Sequence, residues 1–507
     1  MVEAGSPPPD RQRCTPLTKI VVSVCAGLLM CIIGLVSYAT FPPILEQQVK
    51  ANLIIDPANE IYESWEAAPI PIYVKMYLYN YTNHEHILKD GVKPILEQLG
   101  PYVYREYRKK EDVSFNDNGT VTYRQVVSYE FLPNLTKGDL DDEVITLNVP
   151  IIGAAFRNRL NRADERQVMA DGLQEMFAKY NQTVFMKRKV RELLFEGYQD
   201  EMMSFAKTLN WSHTDRFAYQ IDRNNSNDGL YTVFTGSKGM HNYGSIDNWQ
   251  GQQKAAGFKT PCNAINGTTG EMWPPYSISA DKQLTFFVSH LCRSLSLKFK
   301  RDETVKGIKV LRYHIDDKLF DYDVEENKCF CRKTKREYLC PPNGALDINR
   351  CQRDAPLVVS LPHFLHSNPS LISAVEGLRP EEDLHEFFMD VEPVMGIPVR
   401  VSARMQMNVV VDKFEHFRMF EKFNLQYLPT FWLETSATVN DDMAFKIRLV
   451  TEDLASYVTF AASLWIFLGL FAIMCALAFL VSHARKKRKE RPSSKKYTAV
   501  KLIRAGR

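Results

Sequence analysis

The chain contains two uncharged apolar stretches, one near each end. Ile20 to Ala39 is a run of twenty residues without a charge, and Leu454 to Ser482 is longer and equally uncharged. A helix of this length crosses a hydrocarbon core of roughly 30 Å. We therefore predict transmembrane helices at residues 20–39 and 454–482.

The cations beside these stretches predict that both chain ends are cytosolic. Arg11, Arg13 and Lys19 precede the first stretch, and Arg485–Lys489 follows the second; such an excess marks the cytosolic side. A cleaved signal peptide is the alternative for the first stretch, but its apolar core is usually only about 7 to 15 residues long. We expect cytosolic tails at 1–19 and 483–507, with a lumenal or extracellular region at 40–453.

Glycosylation sequons support this topology. Seven Asn-x-Ser/Thr triplets occur, and all of them lie between the two apolar stretches. A single triplet occurs readily by chance, whereas seven triplets that all lie on the predicted outer side support glycosylation there. The predicted acceptors are Asn80, Asn118, Asn134, Asn181, Asn210, Asn224 and Asn266.

The net charge of +3 conceals two regions of opposite sign. Residues 484–507 contain eleven Lys or Arg and one Glu, and residues 1–19 add one positive charge, so the remainder carries about −8. A basic tail beside a membrane favours contact with anionic lipids, at about 1 kcal/mol per cation near the surface. Nucleic-acid binding is the weaker interpretation, because Tyr497 is the only aromatic residue in that tail.

Six of the ten cysteines lie between the apolar stretches. An even number in an oxidising compartment predicts three disulfides, with fifteen possible pairings. Zinc is the alternative for Cys329-Phe-Cys331 with Cys340 and Cys351, although the spacing lacks a Cys-x-x-Cys pair. The six are Cys262, Cys292, Cys329, Cys331, Cys340 and Cys351.

An alternating pattern at residues 399–409 predicts a β-strand with one buried apolar face and one wet polar face. Shorter strand-like runs occur at 72–81, 120–129, 230–234 and 310–315. The absence of Ser/Gly-rich linkers and repeats favours one large domain. We expect a largely antiparallel sheet.

A helical pattern interrupts the strands. Apolar residues at spacings of three and four predict a helix that begins near Ala163, and a second amphipathic segment follows from Lys187. The apolar stripe comprises Met169, Leu173, Met176, Phe177, Tyr180 and Val184.

The segment 157–191 is also rich in cations, and we weigh a site for an anionic ligand against an ordinary solvated surface. It contains four acids, Asp164, Glu165, Asp171 and Glu175. Its nine cations are Arg157, Arg159, Arg162, Arg166, Lys179, Lys187, Arg188, Lys189 and Arg191.

The sequence contains no nucleophile elbow, zincin motif, P-loop or supported carboxylate pair. His84-Glu-His86 suggests a metal fragment, but two histidines beside a sequon are more typical of a wet loop. We expect neither enzyme activity nor a cofactor.

Several motifs, in order along the chain, resemble the class B scavenger receptor family, of which this chain is identified as an invertebrate-type or otherwise divergent member. They are Tyr62-Glu-Ser-Trp65, Ala68-Pro-Ile-Pro-Ile-Tyr73, Asn80-Tyr-Thr-Asn83, Leu99-Gly-Pro-Tyr102, Cys262-Asn-Ala-Ile-Asn-Gly267, Leu291-Cys-Arg-Ser294, Cys329-Phe-Cys331, Gly344-Ala-Leu-Asp-Ile348 and Leu361-Pro-His-Phe364.

The resemblance implies an α+β fold: a large antiparallel β-barrel-like ectodomain with a helical apical bundle at about 150–210 and an internal hydrophobic tunnel, anchored by two terminal membrane helices. Lys179 matches a ligand-contacting lysine of the family, but the second lysine of that site is Asn181 here, so the match is partial. The candidate ligand-binding residues are Phe177, Lys179, Tyr180, Lys187, Arg188, Lys189 and Arg191.

The family order of cysteines implies the pairs Cys262–Cys329, Cys292–Cys351 and Cys331–Cys340.

Two receptor functions follow from the resemblance. The first is a surface receptor that binds lipids, lipoproteins or anionic lipid surfaces such as apoptotic cells and delivers lipid toward the membrane. The second is a trafficking receptor with a lumenal protein cargo at its apex.

The C-terminal tail favours the surface receptor. Tyr497-Thr-Ala-Val500 resembles an endocytic signal for adaptors, whereas Leu502-Ile503 has Thr498 where a lysosomal signal carries an acid. An unstructured basic tail without a signal is the alternative. We predict a plasma-membrane protein that cycles through endosomes and lysosomes.

Overall fold

The computed structural model describes residues 15–333 and 338–489. Within them the chain divides into two compact units. One is Lys50–Ile447, and the other combines the residues up to Val49 with those from Arg448 onward. Each unit is described by itself below.

The described residues form ten α-helices, with short π-helical turns at Glu192–Glu196 and Leu449–Asp453. The α-helices are α1 Pro16–Leu53, α2 Ile61–Glu66, α3 His84–Asp90, α4 Val149–Asn158, α5 Arg166–Lys179, α6 Glu201–Thr208, α7 Pro369–Ser373, α8 Glu382–His385, α9 Asp441–Arg448 and α10 Leu454–Lys489.

The terminal unit contains the two apolar helices. Segments Pro16–Leu53 and Asp441–Lys489 are long and apolar enough to cross a membrane, and both continue beyond the stretches predicted from sequence. They pack through small residues: a Cβ at Gly27 would lie 2.7 Å from the carbonyl oxygen of Gly469, and one at Gly34 would lie 2.7 Å from that of Ala462. Small residues allow two membrane helices to approach this closely.

The larger unit is built on one sheet of thirteen strands, in which every pair of named strands is antiparallel. The strand order is β10-β11-β12-β17-β18-β19-β1-β2-β3-β8-β9, with β15 and β16 attached to β18. The strands are β1 Ile72–Tyr81, β2 Leu96–Asn116, β3 Thr120–Phe131, β4 Glu143–Leu147, β5 Phe185–Lys189, β6 Tyr198–Gln199, β7 Arg216–Phe217, β8 Ser226–Phe234, β9 Ile246–Trp249, β10 Leu284–Val288, β11 Arg293–Val305, β12 Ile308–Ile315, β13 Arg332–Lys333, β14 Tyr338–Leu339, β15 Leu346–Asp347, β16 Leu357–Ser360, β17 Phe388–Glu392, β18 Ile397–Val411 and β19 Gln426–Thr438.

A short segment at Thr268 links the two ends of this strand order. Thr268 forms bridges to Ser245, beside β9, and to Phe286 in β10. The preceding Gly267 has φ +83°, and its backbone lies against Thr285 so closely that no Cβ fits. Thr268 therefore pairs with the backbone at both edges of the sheet, which reduces the unpaired backbone that these edges expose.

The prediction that the polar face of β18 lies in water is wrong, although Val399 and Val409 of the apolar face are buried as predicted. Gln406 and Asn408, expected in water, are 0% exposed, and Arg404 is buried as well. The apolar face carries Met405 and Met407, which are only half-buried. The alternation is present, but loops cover the polar face, which the local pattern does not reveal.

The predicted helical region at 150–210 is interrupted. The second predicted segment, which begins at Lys187, belongs instead to strand β5. This strand pairs with β4 in a register that runs from Glu143 opposite Lys189 to Leu147 opposite Phe185. Val184 and Phe185 are buried and β-branched or aromatic, and they favour a strand over continuation of a helix. Helices α4, α5 and α6 therefore accompany a small two-stranded sheet.

Hydrogen bonds satisfy the buried polar face of β18. The Tyr79 hydroxyl and the backbone N–H of His363 donate to Gln406 Oε1 at 2.7 and 2.8 Å, and Gln406 Nε2 donates to Asn408 Oδ1 at 2.8 Å. Asn408 Nδ2 in turn donates to Ser360 Oγ at 3.0 Å. Because an unpaired buried amide costs on the order of 1–3 kcal/mol, these bonds hold the Leu361–Phe364 motif against the strand.

Two buried histidines complete this network. The His363 and His385 rings are 4.2 Å apart, and each Nδ1 accepts a backbone N–H, from Arg379 and Glu381 respectively. Burial and the charge of His385 lower the pKa of His363 to about 3. Burial and the charge of Arg404 lower the pKa of His385 to about 4. Both rings are therefore neutral in the folded protein at endosomal pH.

We expect stability to fall on acidification from pH 7 to 5. Each histidine has an ordinary pKa of 6.5 when unfolded, so in this range the unfolded chain binds protons that the folded protein does not. At pH 5 the free energy of unfolding is lower by roughly 2 kcal/mol for each histidine. The melting temperature of the variant His363→Gln should therefore fall less than that of the wild type between pH 7 and pH 5.

The control is His86→Gln, which removes an exposed histidine. The measurement stays above pH 5 because the Glu386 carboxyl, with a pKa of about 2, loses its own contribution only in more acidic solution. Equal acid sensitivity of all three proteins would contradict the assignment.

Candidate functional site

Helix α5 and its neighbours form the predicted ligand-binding region. Asn148 begins α4 with its side-chain oxygen accepting the N–H of Ile151, and α4 is almost wholly buried. Helix α5 buries Ala170, Leu173 and Phe177. Phe177 is only 1% exposed and stacks on Phe417 at 6.4 Å, so it is a core residue with no surface for a ligand.

The cations of β5 and the following turn lie beside carboxylates. Lys187 Nζ is 2.5 Å from Glu143, Lys189 Nζ is 3.0 Å from Asp141, and Arg191 Nη2 is 2.9 Å from the same Asp141. The bonds from Lys189 and Arg191 lower the pKa of the Asp141 carboxyl. The predicted cationic cluster at 187–191 is therefore largely neutralised.

The same compensation extends to the cations around α4 and α5. Arg157, Arg159 and Arg166 each have a carboxylate at 3.8 to 4.0 Å, from residues far along the chain. These partners are Asp354, Asp412 and Glu415. The charge excess counted within residues 157–191 is thus offset by acids that the tertiary fold supplies.

Two of the predicted ligand residues have no carboxylate partner among the described residues. Lys179 Nζ lies 5.1 Å from the ring centre of Tyr180, and the Arg188 guanidinium lies 4.3 Å from that of Tyr198. The contact of Lys179 leaves its positive charge uncompensated, because an aromatic ring carries no net charge. Arg188 is half-buried and also interacts, at longer range, with the carboxylate of Asp200. Lys179 is accordingly the strongest candidate cation for an anionic ligand.

Exposed apolar side chains accompany these cations. Val168 on α5 is 74% exposed, and Leu160, Tyr180 and Leu209 are also exposed. Large exposed apolar side chains near charges are typical of interaction surfaces. Sequence reasoning missed Leu160, Val168 and Leu209. Val168 lies outside the predicted apolar stripe and is an apolar residue on the solvent side of an amphipathic helix.

The six cysteines of the larger unit form three disulfides, the same pairs that the family resemblance implies. They are Cys262–Cys329, Cys292–Cys351 and Cys331–Cys340. The four cysteines considered for zinc are all bonded and have no free thiolate for a metal. Each bridge restricts the unfolded chain, over sequence separations of 67, 59 and 9 residues.

Six of the seven predicted glycan acceptors are exposed, and only Asn80 is half-buried. Its Oδ1 accepts the backbone N–H of Ile145 at 3.0 Å, and its Nδ2 donates to Glu97 at 3.3 Å. Asn80 is therefore the acceptor least available for a glycan. Glycosylation of all seven stays a prediction, as does the sorting signal at Tyr497 and Val500, which lies outside the described residues.

The apolar face of β18 forms a second candidate feature. Val401, Ala403, Met405 and Met407 pack against an interior apolar cluster that includes Leu295, Tyr313 and Met389, yet none of the four is fully buried. Leu433 of β19, directly opposite Met405, is half-buried as well and packs against the neighbouring cluster. These interior apolar side chains retain accessible surface where close packing would remove it.

Comparison with known proteins gives a consistent result. The sequence model of the CD36 family matches residues 24–480. Scavenger receptor class B member 1 of Bos taurus is 32% identical over 436 residues, which are 84% of this chain and 82% of that protein. Lysosome membrane protein 2 is 32% identical in Rattus norvegicus and 30% in Homo sapiens, over 83% of this chain and 86% of each relative.

Proposed function

The chain belongs to the CD36 family, and from that membership we propose that it is a membrane receptor for lipids or lipid-bearing particles. The ligand binds at the apical surface, defined here as residues 149–208. Lipid then moves through an apolar passage in the ectodomain toward the bilayer.

The half-buried apolar face of β18 and β19 supports this passage. Its polar side is sealed by hydrogen bonds, while Met405 and Leu433 keep accessible surface between two apolar clusters. An apolar lining suits an acyl chain or sterol, because each methylene exposed to water costs about 0.8 kcal/mol. The link between the sheet edges at Thr268 supports a barrel-like wall around that passage.

The apical surface combines apolar contact with positive charge. Val168 and Tyr180 offer apolar area, and Lys179 carries a charge that has no carboxylate partner within the described part of the chain. Anionic head groups, fatty carboxylates and the surfaces of modified lipoproteins or apoptotic cells fit this combination. Charge then governs the rate of encounter more than the final affinity.

A trafficking receptor with a protein cargo is the second candidate. It is favoured by the relatives named lysosome membrane protein 2, which are as similar to this chain as the scavenger receptors are. Both candidates use the apical surface, but only the first requires lipid to pass through the core.

Blocking the passage should separate binding from lipid delivery. In Met405→Trp the added volume fills the space beside Leu433, so we expect transfer of labelled lipid into cells to fall at least about fivefold while particle binding stays unchanged. Mass spectrometry of the purified full chain should also find less co-purified lipid.

The matched control is Leu425→Trp, which places the same ring at an exposed position. Surface level and melting temperature identify variants that misfold. Undiminished lipid transfer by well-folded Met405→Trp would exclude a passage at this face.

Reversing one apical charge should weaken capture of anionic particles. We expect Lys179→Glu to reduce uptake of phosphatidylserine-containing particles at least about threefold at equal surface level, with a smaller loss at high salt. The control is Lys282→Glu, an exposed lysine outside the apical surface. If the two variants behave alike, the apical assignment is wrong.

The tail distinguishes surface cycling from lysosomal residence. Replacing Tyr497 with Ala removes the proposed adaptor contact, so surface biotinylation should find more protein at the plasma membrane, by about twofold or more. Val500→Ala, at the second position of the same motif, should act in the same direction. An unchanged distribution in both variants argues against the signal and for the trafficking alternative.

A further inference from the structure

The larger unit has an open groove that the apical surface and the passage do not use. Its volume is about 640 Å³, within the range of roughly 300–1,000 Å³ typical of small-ligand sites. It lies where β8, β9 and the turn before β11 meet, and none of its lining residues belongs to residues 149–208.

Three basic side chains line the groove with a single carboxylate. The basic residues are Arg124, Arg223 and His290, and the acid is Asp228. Asp228 is already engaged: it accepts the Ser289 hydroxyl at 2.6 Å and lies 3.1 Å from His290 Nε2. The distance from Asp228 Oδ1 to Arg223 Nη1 is longer, at 3.9 Å.

Arg223 retains unused donors. Its Nη1 lies 2.9 Å from His290 Nδ1, and within residues 15–333 and 338–489 neither Nε nor Nη2 of Arg223 has a hydrogen-bond acceptor. An arginine has five N–H donors in a planar fork that matches a carboxylate or sulfate. Arg124 has only a weak, exposed pair with Asp112 at 3.4 Å.

The amides around these cations offer both donors and acceptors. Asn227 uses its oxygen for the N–H of Gly229 and keeps its NH₂ group, whereas Gln352 uses its NH₂ group for the His290 carbonyl and keeps its oxygen. Hydroxyl groups both donate and accept, so this mixture suits a polyhydroxylated ligand better than a bare phosphate. The Trp249 indole, fixed by its bond to the Asp228 carbonyl at 2.9 Å, supplies a flat apolar wall.

We propose that this groove binds an acidic carbohydrate. The carboxylate or sulfate of the sugar lies against Arg223 and Arg124, its hydroxyls bond Asn227 and Gln352, and one ring face packs on Trp249. The site is separate from lipid capture and gives the receptor a second, glycan-specific contact with the particles or surfaces it meets.

The test measures binding to the full chain in detergent by calorimetry, after enzymatic removal of N-glycans so that a glycan on the neighbouring Asn224 does not compete. The probes are a heparin-derived sulfated tetrasaccharide, an oligogalacturonate that carries carboxylates only, and the fully methyl-esterified form of that oligogalacturonate, which is uncharged. We expect at least about tenfold weaker binding of the uncharged, esterified sugar than of the better acidic probe. The better of the two acidic probes identifies the natural anion.

Two variants locate the site. Arg124→Gln with Arg223→Gln should weaken binding of the preferred acidic probe at least about tenfold, whereas Arg223→Lys, which keeps the charge but not the planar fork, should lose less affinity than the double variant. The control Arg301→Gln makes the same change at an exposed arginine outside the groove and should have no effect.

Three results overturn the proposal: unchanged affinity in the double variant, equal affinity for the uncharged, esterified sugar, or an equal loss in Arg301→Gln, which indicates diffuse surface charge. A melting temperature within a few degrees of the wild type ensures that a loss of binding is not a loss of folding. Because lipid uptake is not measured, failure here leaves the proposed lipid receptor untouched.

Discussion

The buried polar face of the long strand β18 constrains the rest of the ectodomain. Gln406 and Asn408 have no contact with water, so every amide atom needs a protein partner, and Tyr79, Ser360 and the backbone of His363 supply them. Tyr79 lies in β1 and Ser360 in β16, whereas His363 belongs to the short helical turn Pro362–Phe364, which must pack over this side of the sheet. The apolar face, with Met405 and Met407, is thereby left for the interior. The proposed lipid passage depends on this arrangement.

Charge compensation shapes the apical surface in the same way. Acids from distant parts of the chain lie beside most of its cations, so the surface is less positive than its local sequence. Among the residues that the structure describes, Lys179 has no carboxylate partner, and it lies beside the exposed ring of Tyr180. Recognition by a few charges and an apolar contact area suits lipid surfaces, which present both properties. The groove beside Trp249 has a different chemistry, with amides in place of apolar area.

Sequence patterns predicted much of the fold where a signal is local. Strand β1 begins and ends at the predicted residues, and the apolar stripe of α5 correctly places Leu173 in the core. The stripe also places Phe177 in the core, so its separate assignment as a ligand contact is wrong, because a residue on the buried face of a helix is the least suited to that role. The sequence pattern places Lys187 in a helical region, because its cationic neighbours mask a five-residue strand that depends on pairing with β4. The acidic carbohydrate groove left no motif, because its residues come from five separate segments.

By itself the sequence determined the two apolar terminal helices, the antiparallel strands and the family, because length, hydrophobicity and motif order are properties of contiguous residues. Tertiary structure alone decided which face of β18 is sealed, which cations are neutralised and where Arg223 meets His290. Burial and electrostatic pairing are fixed by residues that are distant in the chain and adjacent only after folding. A strand pattern reports that two faces differ, and only the packed structure decides what each face meets.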